Sequence, residues 1–257
     1  TETGTGSDAG GMHTTAVRDG DGWRINGSKN FITHAISGDV AVVVVRTGEK
    51  GDSHGMSAFV VEKGTPVFEG GRKENKLGMR ASETAGLFFD NCYVSNDNLL
   101  GKVGEGFIQS MKILDGGRIS IAALSLGIAK GAQKAALRYS REREQFGQPI
   151  GRFQVLQHRM ADMFLEAEQI MSMTLMGTLR LDLPADERKA AVSLAKAKVA
   201  RSANFVGQNA VQTHGGIGIT QELAIGHYFK RATMIEGQFG SADWHLDRFE
   251  QLTYPKG

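Results

Sequence analysis

The stretch Lys102-Val103-Gly104-Glu105-Gly106 divides the sequence into two halves with different hydrophobic periods. Before it, short β-branched and aromatic runs are separated by turn signals, which is typical of strands. After it, glycine and proline become rarer and apolar residues recur every three or four positions, which is typical of helices. Strands followed by helices favour an α+β fold over a doubly wound α/β fold, which needs alternation. We therefore predict two domains, residues 1–103 and 104–257.

In the first half, five short runs are predicted to be strands, with turns at glycine-rich signals such as Asn26-Gly27-Ser28. These runs are residues 23–26, 31–33, 40–45, 58–61 and 86–89. Several short strands with regular turns predict a β-barrel-like domain. The run 40–45 is the most apolar and is predicted to be one buried strand.

In the second half, two long segments carry helical periodicity. In residues 154–181, apolar positions from Leu156 through Met163 and Phe164 to Leu175 are predicted to share one broad face. Residues 187–212 are rich in alanine, and such small side chains let neighbouring helices approach closely. Four or five segments of this kind predict a helical bundle.

Composition excludes several classes of protein. The net charge is only +2, from 30 basic and 28 acidic residues, so we expect no nucleic-acid partner. No apolar run is long enough for a membrane span. The single cysteine, Cys92, cannot form an intrachain disulfide, which fits a reducing compartment. We expect a protein of the cytoplasm, or of the mitochondrial matrix in a eukaryote, that is not secreted.

Several types of catalytic site are also excluded by the pattern. The seven histidines show no metal-ligand spacing and there is no paired-cysteine motif, so we predict no metal site. No G-x-S-x-G motif is present, which argues against a serine hydrolase. The chain opens at Thr1 inside a glycine-rich loop, and we expect it to be a fragment of a longer protein.

Three loops carry residues that suit a phosphate-containing cofactor. Residues 1–10 are dense in glycine and hydroxyl groups, which lets backbone N–H groups surround phosphates, but their spacing is not that of a dinucleotide-binding fingerprint. Residues 141–149 carry arginines that suit bidentate phosphate binding. Residues 215–218 form a glycine cluster after the alanine-rich segment. Each loop alone is a weak signal, and its composition by itself favours a surface loop or a helix end.

Taken together and in order, five motifs resemble the acyl-CoA dehydrogenase family. They are Thr1-Glu2-x-Gly4-x-Gly6-Ser7-Asp8, then residues 26–33, residues 76–82, Arg143-x-x-Phe146-Gly147-x-Pro149-Ile150, and Gln212-x-x-Gly215-Gly216-x-Gly218. The family has an N-terminal helical domain, a β-barrel-like middle domain and a C-terminal four-helix bundle. The resemblance implies that this chain contains the middle and C-terminal domains.

The resemblance also implies a reaction and its participants. The expected activity is FAD-dependent α,β-dehydrogenation of an acyl-CoA thioester of short or medium chain. An electron-transfer flavoprotein is the implied electron acceptor, and a homodimer or homotetramer is the implied assembly. The implied FAD contacts are Ser7, Phe31, Thr33, Arg143, Phe146, Gln154, Gln212 and Gly216, some of them across a subunit boundary. Asp115 and Arg118 resemble the family's CoA-contacting pair, whereas by pattern alone they would be a solvated helix face.

The catalytic base is where this sequence departs from the family. One branch carries its glutamate in a Glu-Gly pair, which Glu236-Gly237 matches by eye, but an ungapped count from the Gln212 motif reaches Phe239-Gly240 instead. Another branch places the base directly before the helix arginine, where this chain has Gly117. Three possibilities therefore stay open: Glu236 as base, Asp243 as base, or no base in this chain. The last would make the protein a non-catalytic flavin-binding or structural subunit of a hetero-oligomer.

Overall fold

The computed structural model describes residues 1–6, 8–52, 54–76 and 78–254. The chain divides into two compact units, Thr1–Lys112 and Ile113–Gly257. The first is built on strands and the second on helices, which confirms the predicted α+β class. The long helix α1, Gly106–Glu142, begins close to the predicted domain boundary at 103/104.

The first unit contains one mixed sheet. Its strands are β1 Thr15–Asp19, β2 Gly22–Thr33, β3 Val40–Arg46, β4 Met56–Glu62, β5 Phe68–Gly70, β6 Thr84–Ser95 and β7 Leu99–Leu100. Their order across the sheet is β5-β6-β2-β1-β3-β4-β7, so β5 and β7 form its edges. All neighbouring pairs are antiparallel except β1 with β3. The five predicted strands lie within β2, β3, β4 and β6.

The predicted turn at Asn26-Gly27-Ser28 is wrong, because these residues continue β2. The pairing of β2 with β6 shifts register between Ile25 and Gly27, so the signal marks a β-bulge. Gly27 has φ of +138°, and a Cβ at this position would lie 2.7 Å from the Thr14 Oγ1 atom and 2.8 Å from its Cα. A glycine is therefore needed here because the strand passes closely over Thr14 and the backbone has a positive φ. The sequence signal is the same for a turn and a bulge, since both favour glycine.

The strand β3 is buried on one face only, so the prediction of one buried strand holds for one of its two faces. Val43 and Val45 are 3% and 0% exposed, whereas Val40 and Val42 are 59% and 57% exposed. Alternation puts the first pair into the core, where Trp23 and Phe59 pack with ring centroids 5.5 Å apart, and leaves the second pair on the opposite face.

The second unit is helical and is arranged around one central helix. Besides most of α1, it contains α2 Gln154–Leu179, α3 Ala185–His214, α4 Ala224–Gly237 and α5 Ala242–Thr253. Helix α3 packs against α2, α4 and α5. Its alanines at positions 191, 195, 200 and 203 are at most 3% exposed, and these small side chains allow the close approach that the sequence predicts. None of the helices in the described ranges is both long and apolar enough to cross a membrane.

The apolar face predicted for α2 is too broad. Met163, Ala167 and Ile170 are buried, and with Thr174 and Gly177 they form a narrow stripe at alternating spacings of four and three. Phe164 and Leu175, predicted to share that face, are 52% and 56% exposed. The helical period therefore identifies the element but not the width of its buried side.

We predict that Gly27→Ala lowers the free energy of unfolding by about 1–3 kcal/mol, because the new Cβ would press on the backbone and side chain of Thr14. Denaturant unfolding of the purified protein measures the change. Gly64→Ala is the control, since Gly64 also has a positive φ but has open space around it. Equal losses in the two variants would show that backbone strain, not the close approach, requires a glycine at position 27.

Candidate functional site

In the first unit, the N-terminal loop is fastened to β2 by a buried ion pair. The Glu2 carboxylate accepts hydrogen bonds from the backbone N–H groups of His13 at 2.5 Å and Thr14 at 3.1 Å, and from Lys29 Nζ at 2.6 Å. Burial opposes ionisation of Glu2, but these bonds outweigh it and lower the Glu2 pKa to about 2. Burial also lowers the pKa of Lys29. Ser7, a predicted flavin contact in this loop, lies outside the described residues.

The end of β2 carries the two other flavin contacts predicted in this unit. Phe31 has φ of +58° where β2 shifts register against β6, and its side chain is 65% exposed. Thr33 lines a cavity of about 390 Å³. The cavity wall combines apolar side chains, among them Ile32, Val40 and Val42, with polar groups such as Lys29. The exposed face of β3 thus forms one wall of a pocket large enough for part of a small-molecule ligand.

In the second unit, a two-residue hairpin presents Phe146. The strands β8 Glu144–Gln145 and β9 Gln148–Pro149 are joined by Phe146 and Gly147, whose φ angles are +55° and +77°. Positive φ at both positions is the geometry of a type I′ turn. Phe146 is 91% exposed, and its ring meets Phe153 edge-on at 6.0 Å. The hairpin therefore presents an exposed aromatic ring at the surface of the unit.

The remaining predicted FAD residues of this unit are also exposed. Arg143 precedes the hairpin, and Gln154 begins α2. Gln212 lies in the last turn of α3, which ends at Gly215 with φ of +67°, so the glycine cluster does end a helix. Gly216 has open space around it. These groups leave hydrogen-bonding capacity at the surface of the unit.

Asp115 and Arg118 are brought together, but in a buried position that their sequence pattern did not indicate. Asp115 is 2% exposed and Arg118 is 8% exposed, so a solvated helix face is excluded. The Asp115 carboxylate lies 3.0 Å from Arg118 Nη1, 3.2 Å from Arg188 Nε and 3.6 Å from Arg248 Nη1. Three guanidinium groups from α1, α3 and α5 therefore surround one carboxylate.

The chain between α4 and α5 forms a tightly held turn next to Arg118. Phe239 and Gly240 have φ angles of +58° and +108°. The Phe239 carbonyl accepts from Arg118 Nε at 3.2 Å and from His245 Nε2 at 3.0 Å. Burial lowers the His245 pKa to about 4, a shift that the Phe239 carbonyl opposes and nearby cations reinforce, so His245 is neutral near pH 7. Its Nδ1 then accepts from Ser193 Oγ at 3.2 Å.

The positions relevant to a catalytic base lie in this same region. A Cβ on Gly117 would lie 3.4 Å from the Phe239 ring, so the two positions at which the family resemblance implies a carboxylate face each other and neither carries one. Glu236 is half-buried in the last turn of α4. Asp243 is directed to the surface: its side chain is 86% exposed and pairs with Arg201 at 2.6 Å.

Five side chains of this region were not predicted from the sequence, namely Arg188, Ser193, Lys196, Trp244 and Arg248. Two guanidinium groups approach the Trp244 ring, with Arg118 and Arg248 at 5.6 and 5.4 Å from its centroid. The sequence held one signal for Lys196: it is a lysine among the alanines of residues 187–212, and a charged residue on a buried helix face needs partners. The arginines carry no such signal, since Arg188 and Arg248 are about 70 to 130 residues away in sequence from their carboxylate partner.

Comparison with known proteins identifies the family. Residues 104–251 match the family model for the acyl-CoA dehydrogenase C-terminal domain, and residues 1–92 match that for the acyl-CoA dehydrogenase middle domain. The chain belongs to the acyl-CoA dehydrogenase family. The mitochondrial short-chain specific acyl-CoA dehydrogenase of Homo sapiens is 38% identical over 242 residues, which are 94% of this chain and 58% of that protein. The short-chain specific enzyme of Clostridium acetobutylicum is 40% identical over 95% of this chain and 64% of its own length.

Solved structures agree with these relatives. Butyryl-CoA dehydrogenase from Megasphaera elsdenii has a TM-score of 0.89 at 34% identity, covering 97% of this chain and 65% of that chain. A chain from a study of the electron transferring flavoprotein of Acidaminococcus fermentans has a TM-score of 0.91 at 40% identity, covering 100% of this chain and 67% of that chain. The chain spans less than two thirds of the length of the human and clostridial relatives.

We predict that Glu2→Gln lowers the free energy of unfolding by about 3 kcal/mol at pH 7, because it leaves Lys29 buried without its counter-charge. The folded-state pKa of Glu2 is below its ordinary value of 4.5, so its stabilising contribution is fully present above pH 4.5 and is lost as the pH falls towards about 2. Denaturant unfolding of both proteins between pH 7 and pH 3 should show the difference narrowing. The control is Glu69→Gln on an exposed edge strand. A pH-independent difference would contradict an ionised Glu2.

Proposed function

We propose that this chain is part of a FAD-dependent acyl-CoA dehydrogenase that oxidises the Cα–Cβ bond of an acyl-CoA thioester. One observation carries the proposal beyond family membership: Arg118, of the pair assigned to CoA by resemblance, donates a hydrogen bond to the Phe239 carbonyl, in the turn that follows Glu236. Substrate-binding and proton-abstracting candidates therefore lie in one region of the second unit. The short-chain relatives favour a short or medium acyl chain.

The residues present fit FAD. The cavity beside Thr33 combines apolar side chains with polar groups such as the Thr33 hydroxyl, which suits a flavin ring that has both apolar and hydrogen-bonding edges. Arg143 and the exposed backbone at Gly216 suit the pyrophosphate, and the exposed ring of Phe146 suits stacking. We propose FAD contacts at Ser7, Phe31, Thr33, Arg143, Phe146, Gln154, Gln212 and Gly216. Bound FAD would supply the hydride acceptor.

The chain's own residues have separate roles in the proposed reaction. Glu236 is the proposed base that takes the α-proton at its carboxylate. Asp115 and Arg118 are the proposed substrate-binding pair, and because both are buried by other residues they would act mainly by fixing the surrounding backbone. The proposed acceptor is an electron-transfer flavoprotein and the proposed assembly a homodimer or homotetramer. The mitochondrial and bacterial relatives favour the mitochondrial matrix or the cytoplasm.

A second function is favoured by the contact between Gly117 and Phe239. Since neither facing position carries a carboxylate, the chain would bind flavin and thioester without removing the α-proton. It would then be a non-catalytic subunit of a hetero-oligomer with an active partner. Flavin that binds but stays oxidised with every thioester would support this function over the first.

We predict that Glu236→Gln slows flavin reduction by a saturating acyl-CoA thioester by about 10²–10⁴-fold, because the amide cannot accept the α-proton. Anaerobic stopped-flow absorbance of the purified holoprotein measures the rate constant. Glu222→Gln, an exposed position just before α4, is the control and should react at the wild-type rate. A wild-type rate in Glu236→Gln would remove Glu236 from the mechanism.

A further inference from the structure

Lys196 is a fully buried lysine on the central helix α3, and it points at the end of another helix. Its Nζ donates to the carbonyl oxygens of Ile235 at 3.2 Å, Glu236 at 3.1 Å and Gly240 at 3.1 Å. The last carbonyls of a helix have no partner within it, and the helix dipole places partial negative charge there. A cation at the C-terminus of α4 both donates hydrogen bonds to these unpaired carbonyls and balances the partial negative charge.

The number of donors matches the number of acceptors. A lysine ammonium group has three N–H donors, and three carbonyls surround it here. Burial lowers the Lys196 pKa to about 8, while the negative charge of Glu236 acts to raise it, so the group is mainly protonated at neutral pH. Its bonds are therefore charge-assisted and stronger than those of a neutral donor.

The turn that Lys196 holds is strained and needs such support. Phe239 adopts a positive φ, which is unusual for a residue with a bulky side chain. Conformations of this kind persist only where the surroundings fix them. Together with Arg118 and His245 at the Phe239 carbonyl, Lys196 ties the segment 235–240 to three other helices.

We propose that Lys196 is the positioning residue of the candidate catalytic turn: by binding the carbonyls of Ile235, Glu236 and Gly240, it sets where the Glu236 side chain and the Phe239 ring lie. The inference rests on the proposed function for its catalytic consequence. The fixing of the turn itself depends only on the contacts of Lys196.

The test compares Lys196→Met, which keeps the length and apolar stem but removes all three donors, with two controls. Lys198→Met removes a lysine of the same helix that pairs with Glu166 instead. Ile170→Ala destabilises the helical unit through its buried core and removes none of the hydrogen bonds to the turn. If Lys196→Met does not fold, Lys196→Gln, which retains an amide donor, replaces it. Lys196→Arg should not restore the wild type, because a planar guanidinium cannot reproduce three donors on one atom.

The first readout is amide hydrogen exchange over residues 237–241 of the holoprotein. Lys196→Met should raise the exchange rate there at least tenfold, and Lys198→Met should leave it unchanged. The second readout is flavin reduction: the rate constant at saturating thioester should fall at least tenfold in Lys196→Met, with thioester binding changed less than threefold, since small misplacements of reacting groups are costly.

Unchanged exchange over residues 237–241 would overturn the proposal. A fall in the reduction rate of Lys196→Met that is no larger than the fall in Ile170→Ala would also overturn it, because a merely structural role predicts equal falls in the two variants. If no thioester reduces the flavin of the wild type, the proposed function fails, and the exchange measurement still decides whether Lys196 fixes the turn.

Discussion

The second unit depends on one buried carboxylate and the cations around it. Asp115 on α1 pairs with Arg188 on α3 and Arg248 on α5, and with Arg118 on its own helix. Removing the Asp115 carboxylate would leave three guanidinium groups without their counter-charge, which costs several kcal/mol. Arg118 also holds the Phe239 carbonyl, so the same network that ties the helices together fixes the turn between α4 and α5. The geometry of the candidate site follows from this network.

Burial, reinforced by those cations, explains the protonation states nearby. Burial is the first reason that the pKa values of Lys196 and His245 are lowered, and the positive charge of Arg118 lowers both further. His245 is neutral as a result, which lets one ring nitrogen donate to Phe239 and the other accept from Ser193. Lys196 keeps its proton at neutral pH with the help of Glu236. A region rich in basic residues therefore contains both a neutral histidine and a charged lysine, each in the state its hydrogen bonds require.

The sequence predicted the order of the elements better than it predicted which residues are buried. The change of hydrophobic period near Gly104 was enough to predict strands followed by helices, because period depends on local geometry. The sequence pattern did not predict local structure or burial that depends on tertiary contacts. Gly27 marks a bulge against Thr14, and Phe164 is exposed on α2. Asp115 is buried because arginines distant in sequence reach it. The Lys196 contacts join residues about 40 positions apart, and no local pattern encodes them. The site residues assigned by resemblance stay predictions, since their roles depend on ligands.

The family of the chain and its missing base carboxylates lead to different expectations for chemistry. Family membership favours a dehydrogenase, whereas Gly117 and Phe239 leave the half-buried Glu236, beside the turn, as the candidate base. The most direct test is the visible spectrum of the purified protein under anaerobic conditions, before and after adding a panel of acyl-CoA thioesters. The dehydrogenase account predicts a bound flavin whose absorbance bleaches with at least one thioester of short or medium chain. A bound flavin that stays oxidised with every thioester would contradict it.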